Sequence, residues 1–138
     1  MTDVFSLDQR LAADTIEVGS WDLSLVLLMN DANYPWLILV PQRPNLRDLH
    51  DLVPPDLLRL SAEIVRASNL LISLFPADRK PHKMNVAALG NQVPQLHVHV
   101  IARFTDDPAW PKPVWGAVPP QPYSEAALKQ RLKRLGGR

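Results

Sequence analysis

Two histidines stand two residues apart in an apolar segment, Gln95-Leu96-His97-Val98-His99-Val100-Ile101. Side chains of an extended strand alternate between its two faces. One face is therefore predicted to carry Gln95, His97, His99, Ile101 and Arg103, and the other Leu96, Val98, Val100 and Ala102. The first face combines two imidazoles, a carboxamide and a guanidinium, whereas the second is apolar and suited to packing on a helix.

Three interpretations of the polar face imply different chemistry. In the first, the histidines are ordinary polar residues of a strand. In the second, they bind a metal ion, which needs a third ligand from His50, His82 or a carboxylate, and the sequence shows no clustered candidate. In the third, they act on phosphorus, because a neutral imidazole is a good nucleophile and histidine is mostly neutral at pH 7.

Phosphoryl chemistry also requires oriented donors for the phosphate oxygens, and backbone N–H groups and amides can supply them. The region around the histidines is rich in amides, namely Asn85, Asn91, Gln92 and Gln95. Arg103 is a candidate for attracting a phosphate, or else a solvated charge at the end of a strand. Attack by a histidine would give a covalent intermediate that water later hydrolyses, with no metal required.

The elements that must position these residues are strands and one long helix. Leucines and other apolar residues at spacings of three and four predict the helix between Pro55 and Pro76. Extended segments are predicted at 15–18, 21–29, 36–40, 84–89 and 95–104. Short helices are expected after Ser6, as N-cap, and after Ser124, and the proline-rich segment 108–122 should lie extended along the surface. This order indicates an α+β fold with an antiparallel sheet.

Composition excludes several classes of protein. A chain of 138 residues is the size of one domain, and its net charge of +1 argues against a surface that coats nucleic acid. The absence of cysteine excludes disulfides, a thiol nucleophile and cysteine-based metal sites. The N-terminus lacks a signal-peptide pattern, and the apolar run at 34–41 is too short to span a membrane, so we expect a soluble cytoplasmic protein.

The histidine segment resembles the signature of the histidine triad (HIT) family, in which three histidines alternate with apolar residues. The resemblance extends to Trp36-Leu-Ile-Leu-Val-Pro41, to Pro44 and to Leu49-His50-Asp51-Leu52, and it covers residues 20–103. The segment Trp110-Pro-Lys-Pro-Val-Trp-Gly116 is similar to the tail of a bacterial branch of the family.

This resemblance implies one HIT-like domain over 1–138, with a core at 20–104 and a proline-rich tail and C-terminal helix at 105–138. It implies a homodimer with five-stranded antiparallel sheets that hydrolyses or transfers nucleotidyl groups through a nucleotidyl-histidine intermediate. The expected substrates are small nucleotide conjugates, either dinucleoside polyphosphates or nucleoside phosphoramidates. No cofactor, metal, membrane or nucleic-acid partner is expected.

The resemblance also implies roles for single residues. His97 would attack the α-phosphorus, while His99 and Gln95 would hold the phosphate and place the leaving group. Asn85 would contact the ribose or phosphate, and Gln92 stands where family members often carry a hydroxyl residue that touches phosphate. Asn91 and Arg103 complete the expected substrate contacts.

Two departures from the family pattern bear on activity. Gln95 replaces the first histidine, and Trp36 stands where several members carry another histidine. Because glutamine cannot hold or relay a proton, proton handling should be altered. A nucleotide-binding sensor or adaptor without useful turnover is therefore the alternative to an enzyme.

Trp110 and Trp115 lie in the proline-rich segment, where they would stack on a base, cap a partner subunit or pack the tail onto the core.

Overall fold

The computed structural model describes residues 3–136. Its five strands are β1 (Thr15–Ser20), β2 (Ser24–Met29), β3 (Trp36–Pro41), β4 (Lys83–Ala87) and β5 (Val98–Arg103). They form one antiparallel sheet in the order β1-β2-β3-β5-β4. The helices are α1 (Gln9–Asp14), α2 (Pro54–Ser73) and α3 (Glu125–Arg134), with single 3-10 turns at Leu49–Asp51 and Ala77–Arg79. The predicted α+β class, with one long helix and short helices near the ends, is confirmed.

The long helix α2 covers one face of the sheet. It begins with two prolines, whose missing N–H groups are tolerated in the first turn of a helix. Its buried residues Leu60, Ala67 and Leu71 belong to one core with Leu96, Val98, Val100 and Ala102. The apolar face predicted for the histidine segment therefore packs in the same core as the predicted helix.

The opposite face, which carries the histidines, is covered by segments from the two ends of the chain. Leu11 of α1 and Ala109 and Val114 of the proline-rich segment are buried in a second core with Ile38 and Ile101. Backbone contacts fix the end of that segment, because the N–H of Ala32 donates to the carbonyl of Gln121 at 2.6 Å. The segment predicted to lie along the surface thus buries part of its length.

Several strand boundaries differ from those predicted, and at β2 and β5 the difference follows from hydrogen bonds made outside the sheet. β2 begins at Ser24 and not at residue 21, because the N–H groups of Leu23 and Ser24 donate to the buried carboxylate of Glu63 on α2, at 2.9 and 3.1 Å. β5 begins at Val98 and not at residue 95, since the N–H of Leu96 donates to the carbonyl of Leu46, outside the sheet. β4 ends at Ala87, two residues earlier than expected.

The start of the first helix also differs. The sequence predicted Ser6 as its N-cap, but Asp8 caps α1, and its carboxylate accepts a hydrogen bond from the N–H of Arg10 at 2.8 Å. Across residues 3–136, no helix combines the length and the apolar character needed to cross a membrane.

Candidate functional site: a buried histidine pair

His97 directly precedes β5, an inner strand of the sheet, and His99 is the second residue of that strand. Their ring centroids are 4.9 Å apart with an interplanar angle of 71°. Both side chains are nearly inaccessible to solvent, with exposed fractions of 6% and 5%. β5 lies between β3 and β4, and His99 pairs with Ile38 on one side and with Ala87 on the other. The backbone of His99 is therefore held from both sides.

The hydrogen bond of His97 fixes which ring nitrogen carries a hydrogen. Nδ1 of His97 lies 2.7 Å from the carbonyl oxygen of Gln95. A carbonyl oxygen only accepts, so Nδ1 must be the N–H donor. In the neutral ring, Nε2 then keeps its lone pair. This is the arrangement that a nucleophilic imidazole needs.

His99 has the opposite arrangement. The indole Nε1–H of Trp36 donates to Nδ1 of His99 at 3.0 Å, and this bond is buried. An indole nitrogen only donates, so Nδ1 of His99 must carry the lone pair. In the neutral ring, the hydrogen is therefore on Nε2. The two adjacent neutral rings thus differ at Nε2, which carries a lone pair in His97 and a hydrogen in His99.

The surroundings of His99 favour its neutral form. Burial, and to a smaller extent the neighbouring His97, lower the pKa of His99 from 6.5 to about 4. Trp36 and Trp115 contact the ring edge to face, with centroids 5.6 and 5.1 Å away. His99 is consequently uncharged at neutral pH.

Trp115 belongs to the proline-rich segment, and anchors at the turn between β2 and β3 hold that segment in place. The buried carboxylate of Asp31 accepts from the N–H of Gln121 at 3.1 Å, and the side-chain oxygen of Asn30 accepts from the N–H of Tyr123 at 2.9 Å. Trp115 itself is 39% exposed. Of the roles expected for it, packing the tail against the core matches these contacts. Trp110 packs against His82, 5.1 Å between centroids.

A cavity of about 250 Å³ opens beside His97. Loop residues before α2 and after β4 line it together with His97, namely Arg47, Asp48, Leu49, His50, Ala88, Leu89, Gly90 and Leu96. Gly90 has a positive φ of 73°, which favours glycine at this turn. The sequence gives no sign that Arg47 lies at this cavity, since a single arginine in a polar loop carries no periodic signal.

Both polar atoms of the Gln95 side chain form hydrogen bonds with the N-terminal segment. Its Oε1 accepts from the N–H of Asp8 at 2.8 Å, and its Nε2 donates to the carbonyl of Ser6 at 2.8 Å. Gln95 therefore binds the N-terminal segment with its side chain and His97 with its backbone carbonyl. Its predicted hold on the phosphate is not among these contacts.

The predicted amides and Arg103 divide into two groups. Asn91 and Gln92 lie exposed on the turn between β4 and β5, and the carbonyl of Gln92 accepts from Arg10 at 2.6 Å. Arg103 is only 1% exposed and donates to Asn85, to the carbonyl of Lys112 and to both carboxylate oxygens of Asp107. These hydrogen bonds tie Arg103 and the side-chain oxygen of Asn85 into the fold, and the predicted contacts of both residues with a substrate stay predictions.

A metal site at the histidine pair would need a third ligand close to both rings. Among the described residues, the group with metal-ligand spacing is Asp48, His50 and Asp51, whose ligand atoms lie within 4.8 Å of one another and which are all exposed. This group includes neither His97 nor His99. The structure therefore supplies no third ligand that would make the histidine pair a metal site within residues 3–136.

Comparisons with known proteins show the family to which this fold belongs. The model of the HIT domain matches residues 10–106. A histidine triad protein from Bradyrhizobium japonicum is 45% identical, covers 97% of each chain and superposes with a TM-score of 0.91. One from Sinorhizobium meliloti is 42% identical over 96% of this chain and 95% of the other, with a TM-score of 0.89.

A third structure, of a histidine triad protein from Marinobacter aquaeolei, is 47% identical over 96% of this chain and 94% of the other, with a TM-score of 0.91. A comparison with curated proteins gives no match. With the domain model matching most of the chain and the same fold in relatives of nearly equal length, the chain belongs to the histidine triad (HIT) family.

Proposed function

We propose that the protein is a nucleotidyl hydrolase or transferase that acts on the α-phosphate of a small nucleotide conjugate. The observation that carries this proposal is the hydrogen bond from Nδ1 of His97 to the carbonyl of Gln95. This bond leaves Nε2 as a lone-pair nitrogen at a residue that lines a cavity. A fixed nucleophile beside an open space is the basic requirement for covalent catalysis.

The reaction proceeds in two steps. Nε2 of His97 forms a bond to the α-phosphorus, and the bond from phosphorus to the leaving group breaks, with the electron pair going to the leaving group. Water then attacks the nucleotidyl-histidine, the bond between phosphorus and Nε2 breaks, and the ring returns to its neutral state. The products are a nucleoside monophosphate and the released group, and the water proton goes to solvent.

Donors around His97 would hold the phosphate oxygens. His99 offers its Nε2–H as an uncharged donor, and Arg47 at the cavity wall offers a positive charge. The exposed amides of Asn91 and Gln92 remain candidates for contacts with the outer part of the substrate. Gln95 acts through its backbone, because its side chain is bound to residues 6 and 8.

We propose a homodimer as the working unit. β4 is the last strand of the sheet, so its outer edge has no strand beside it within residues 3–136. Apolar side chains are exposed on β4, on the turn that follows it and on α2, namely Val86, Leu89, Leu58 and Val65. An unpaired edge together with exposed apolar residues is typical of a surface that pairs with a second copy. Light scattering coupled to size-exclusion chromatography tests this, and a monomer at micromolar concentration would contradict it.

A nucleotide-binding sensor with negligible turnover is the second candidate. The observation in its favour is that neither Gln95 nor His99 is arranged to deliver a proton. Such a protein would bind a nucleoside monophosphate and leave conjugates intact.

The test is product chromatography after incubation with diadenosine tetraphosphate and with adenosine 5′-phosphoramidate. We expect AMP from the native protein and none above background from His97→Ala, which should still bind AMP. His82→Ala is the matched control, since His82 is exposed and contacts Trp110 outside the site, and it should keep full activity. Binding of AMP without release of AMP from either conjugate would reject the hydrolase and favour the sensor.

A further inference from the structure

We propose that Trp36 is a positioning residue that holds His99 as an uncharged Nε2–H donor, so that the site favours phosphoanhydride substrates over phosphoramidates. This inference rests on the proposed function and specifies its substrate class. The indole Nε1–H of Trp36 donates a buried 3.0 Å hydrogen bond to Nδ1 of His99.

The chemistry of the two rings limits what His99 can do. Protonated histidine has an N–H at both nitrogens, whereas the indole of Trp36 has a donor only. Protonation of Nδ1 would place two N–H groups against each other and would leave the buried indole donor without an acceptor. Trp36 is 5% exposed, so water offers little replacement. The contact therefore opposes the charged form of His99.

The neighbours of His99 supply no counter-charge. Its strand neighbours are Ile38 on β3 and Ala87 on β4, and neither titrates. Trp36 and Trp115 contact its ring from β3 and from the proline-rich segment, and neither titrates. The group whose charge acts on it is His97, which opposes a second positive charge. Each of these neighbours is thus neutral or unfavourable to protonation of His99.

A proton relay through His99 is blocked for the same reason. If Nε2–H gave its proton to a leaving group, the ring would become an imidazolate unless Nδ1 took up another proton at once. The Nδ1 position is already occupied by the N–H of Trp36. His99 can therefore donate hydrogen bonds to phosphate oxygens, but it cannot act as a general acid.

The two expected substrate classes differ in whether they need such an acid. When the phosphoanhydride bond breaks, the electron pair leaves on a phosphate oxygen, which is a stable anion at neutral pH. When a phosphoramidate bond breaks, the electron pair stays on nitrogen, which must receive a proton to leave as an amine. Since general acid catalysis contributes about 10²-fold or more, its loss should penalise the phosphoramidate selectively.

The first test observes the histidine itself. In 15N NMR spectra of the folded native protein at neutral pH, Nδ1 of His99 should resemble an unprotonated ring nitrogen and Nε2 a protonated one. In Trp36→Phe, the ring should become a mixture of both tautomers and should titrate at a higher pH. Trp115→Phe is the matched control, because it changes a ring contact and keeps the hydrogen bond, and the His99 tautomer should not change. A protonated Nδ1 in the native protein, or a spectrum unaffected by Trp36→Phe, overturns the role of Trp36.

The second test compares kcat/KM for diadenosine tetraphosphate and for adenosine 5′-phosphoramidate, both of which release AMP. We expect the native protein to favour the anhydride by about 10²-fold. Trp36→His, which replaces the indole with a titratable ring, should reduce that preference about tenfold by raising turnover of the phosphoramidate. The proposed preference for phosphoanhydrides is overturned if the native protein turns over both substrates equally. It is also overturned if Trp36→His shows the same ratio of kcat/KM values as the native protein. Absence of turnover with both substrates rejects the proposed function and the substrate class together, while the NMR result still decides the role of Trp36.

Discussion

Arg103 and Asp107 form a two-point ion pair at the end of β5, on the face of the sheet that carries the histidines. Nε and Nη2 of Arg103 lie 2.7 and 3.0 Å from the two carboxylate oxygens of Asp107, and the side chains are 1% and 5% exposed. Burial alone raises the pKa of Asp107, but hydrogen bonds from Arg103 and from the backbone of Phe104 and Trp110 outweigh it and lower that pKa. The pair joins the end of β5 to the start of the proline-rich segment.

Removing one partner of this pair should strongly destabilise the fold. Asp107→Ala leaves a buried guanidinium without its counter-charge, and we expect a loss of about 3–5 kcal/mol in the free energy of unfolding, measured in urea. The matched control is Asp106→Ala, because Asp106 is 66% exposed in its ion pair with Arg79. That control should lose at most about 1 kcal/mol. Similar losses in both variants would contradict a structural role for the buried pair.

The side chain of Gln95 should be required for order in the N-terminal segment. Gln95→Ala removes one acceptor and one donor, and we expect a loss of about 1–3 kcal/mol together with faster hydrogen exchange at the N–H of Asp8. Gln95→Glu keeps the acceptor for Asp8 and loses the donor to Ser6, so it should protect Asp8 better than alanine does.

Gln92→Ala is the matched control for Gln95→Ala in the hydrogen-exchange experiment. Gln92 is exposed, and its contact with Arg10 uses the backbone carbonyl, so exchange at Asp8 should not change. If hydrogen exchange at the N–H of Asp8 were as slow in Gln95→Ala as in the native protein, the Gln95 side chain would not be what orders the N-terminal segment.

Stability should fall in mildly acidic solution because of His99. Its pKa is about 4 in the folded chain and 6.5 ordinarily, so the unfolded chain binds the proton more tightly. The stability that this difference gives is complete above pH 6.5 and is lost as the pH falls toward 4. We expect a decrease of about 2 kcal/mol between about pH 7.5 and about pH 5, measured by urea unfolding.

His99→Asn tests the origin of that pH dependence, because asparagine does not titrate. Its unfolding free energy should be lower at neutral pH and should change little over the same pH interval. His50→Ala, at an exposed position, should keep the native slope. The same slope in His99→Asn and in the native protein would assign the effect to another group.

Arg47 should contribute to substrate binding and not to the fold. It is exposed at the cavity that His97 lines. Arg47→Ala should raise KM about tenfold with little change in kcat, because a charge that holds the phosphate before and during reaction binds both states alike. The control is Lys129→Ala on α3, an exposed cation outside this cavity. An unchanged KM in Arg47→Ala would remove this residue from the site.

Local patterns in the sequence determined the elements of the fold. Apolar spacing of three and four defined α2 between its prolines, and strict alternation placed His97 and His99 opposite Val98 and Val100. Both patterns follow from the geometry of a single helix or strand, so a few consecutive residues are enough to predict them. The nucleophile candidate was likewise identified from its own neighbours.

The tertiary structure decided what each polar group binds. Trp36 and His99 are 63 positions apart, and Gln95 is 87 positions from Asp8, so no local period relates these partners. Arg103 was expected at a substrate phosphate because it shares a face with the histidines, and the fold pairs it with a buried counter-charge, Asp107. A strand's sequence determines which side chains share a face, and the packing of distant segments on that face determines their charge, tautomer and partners.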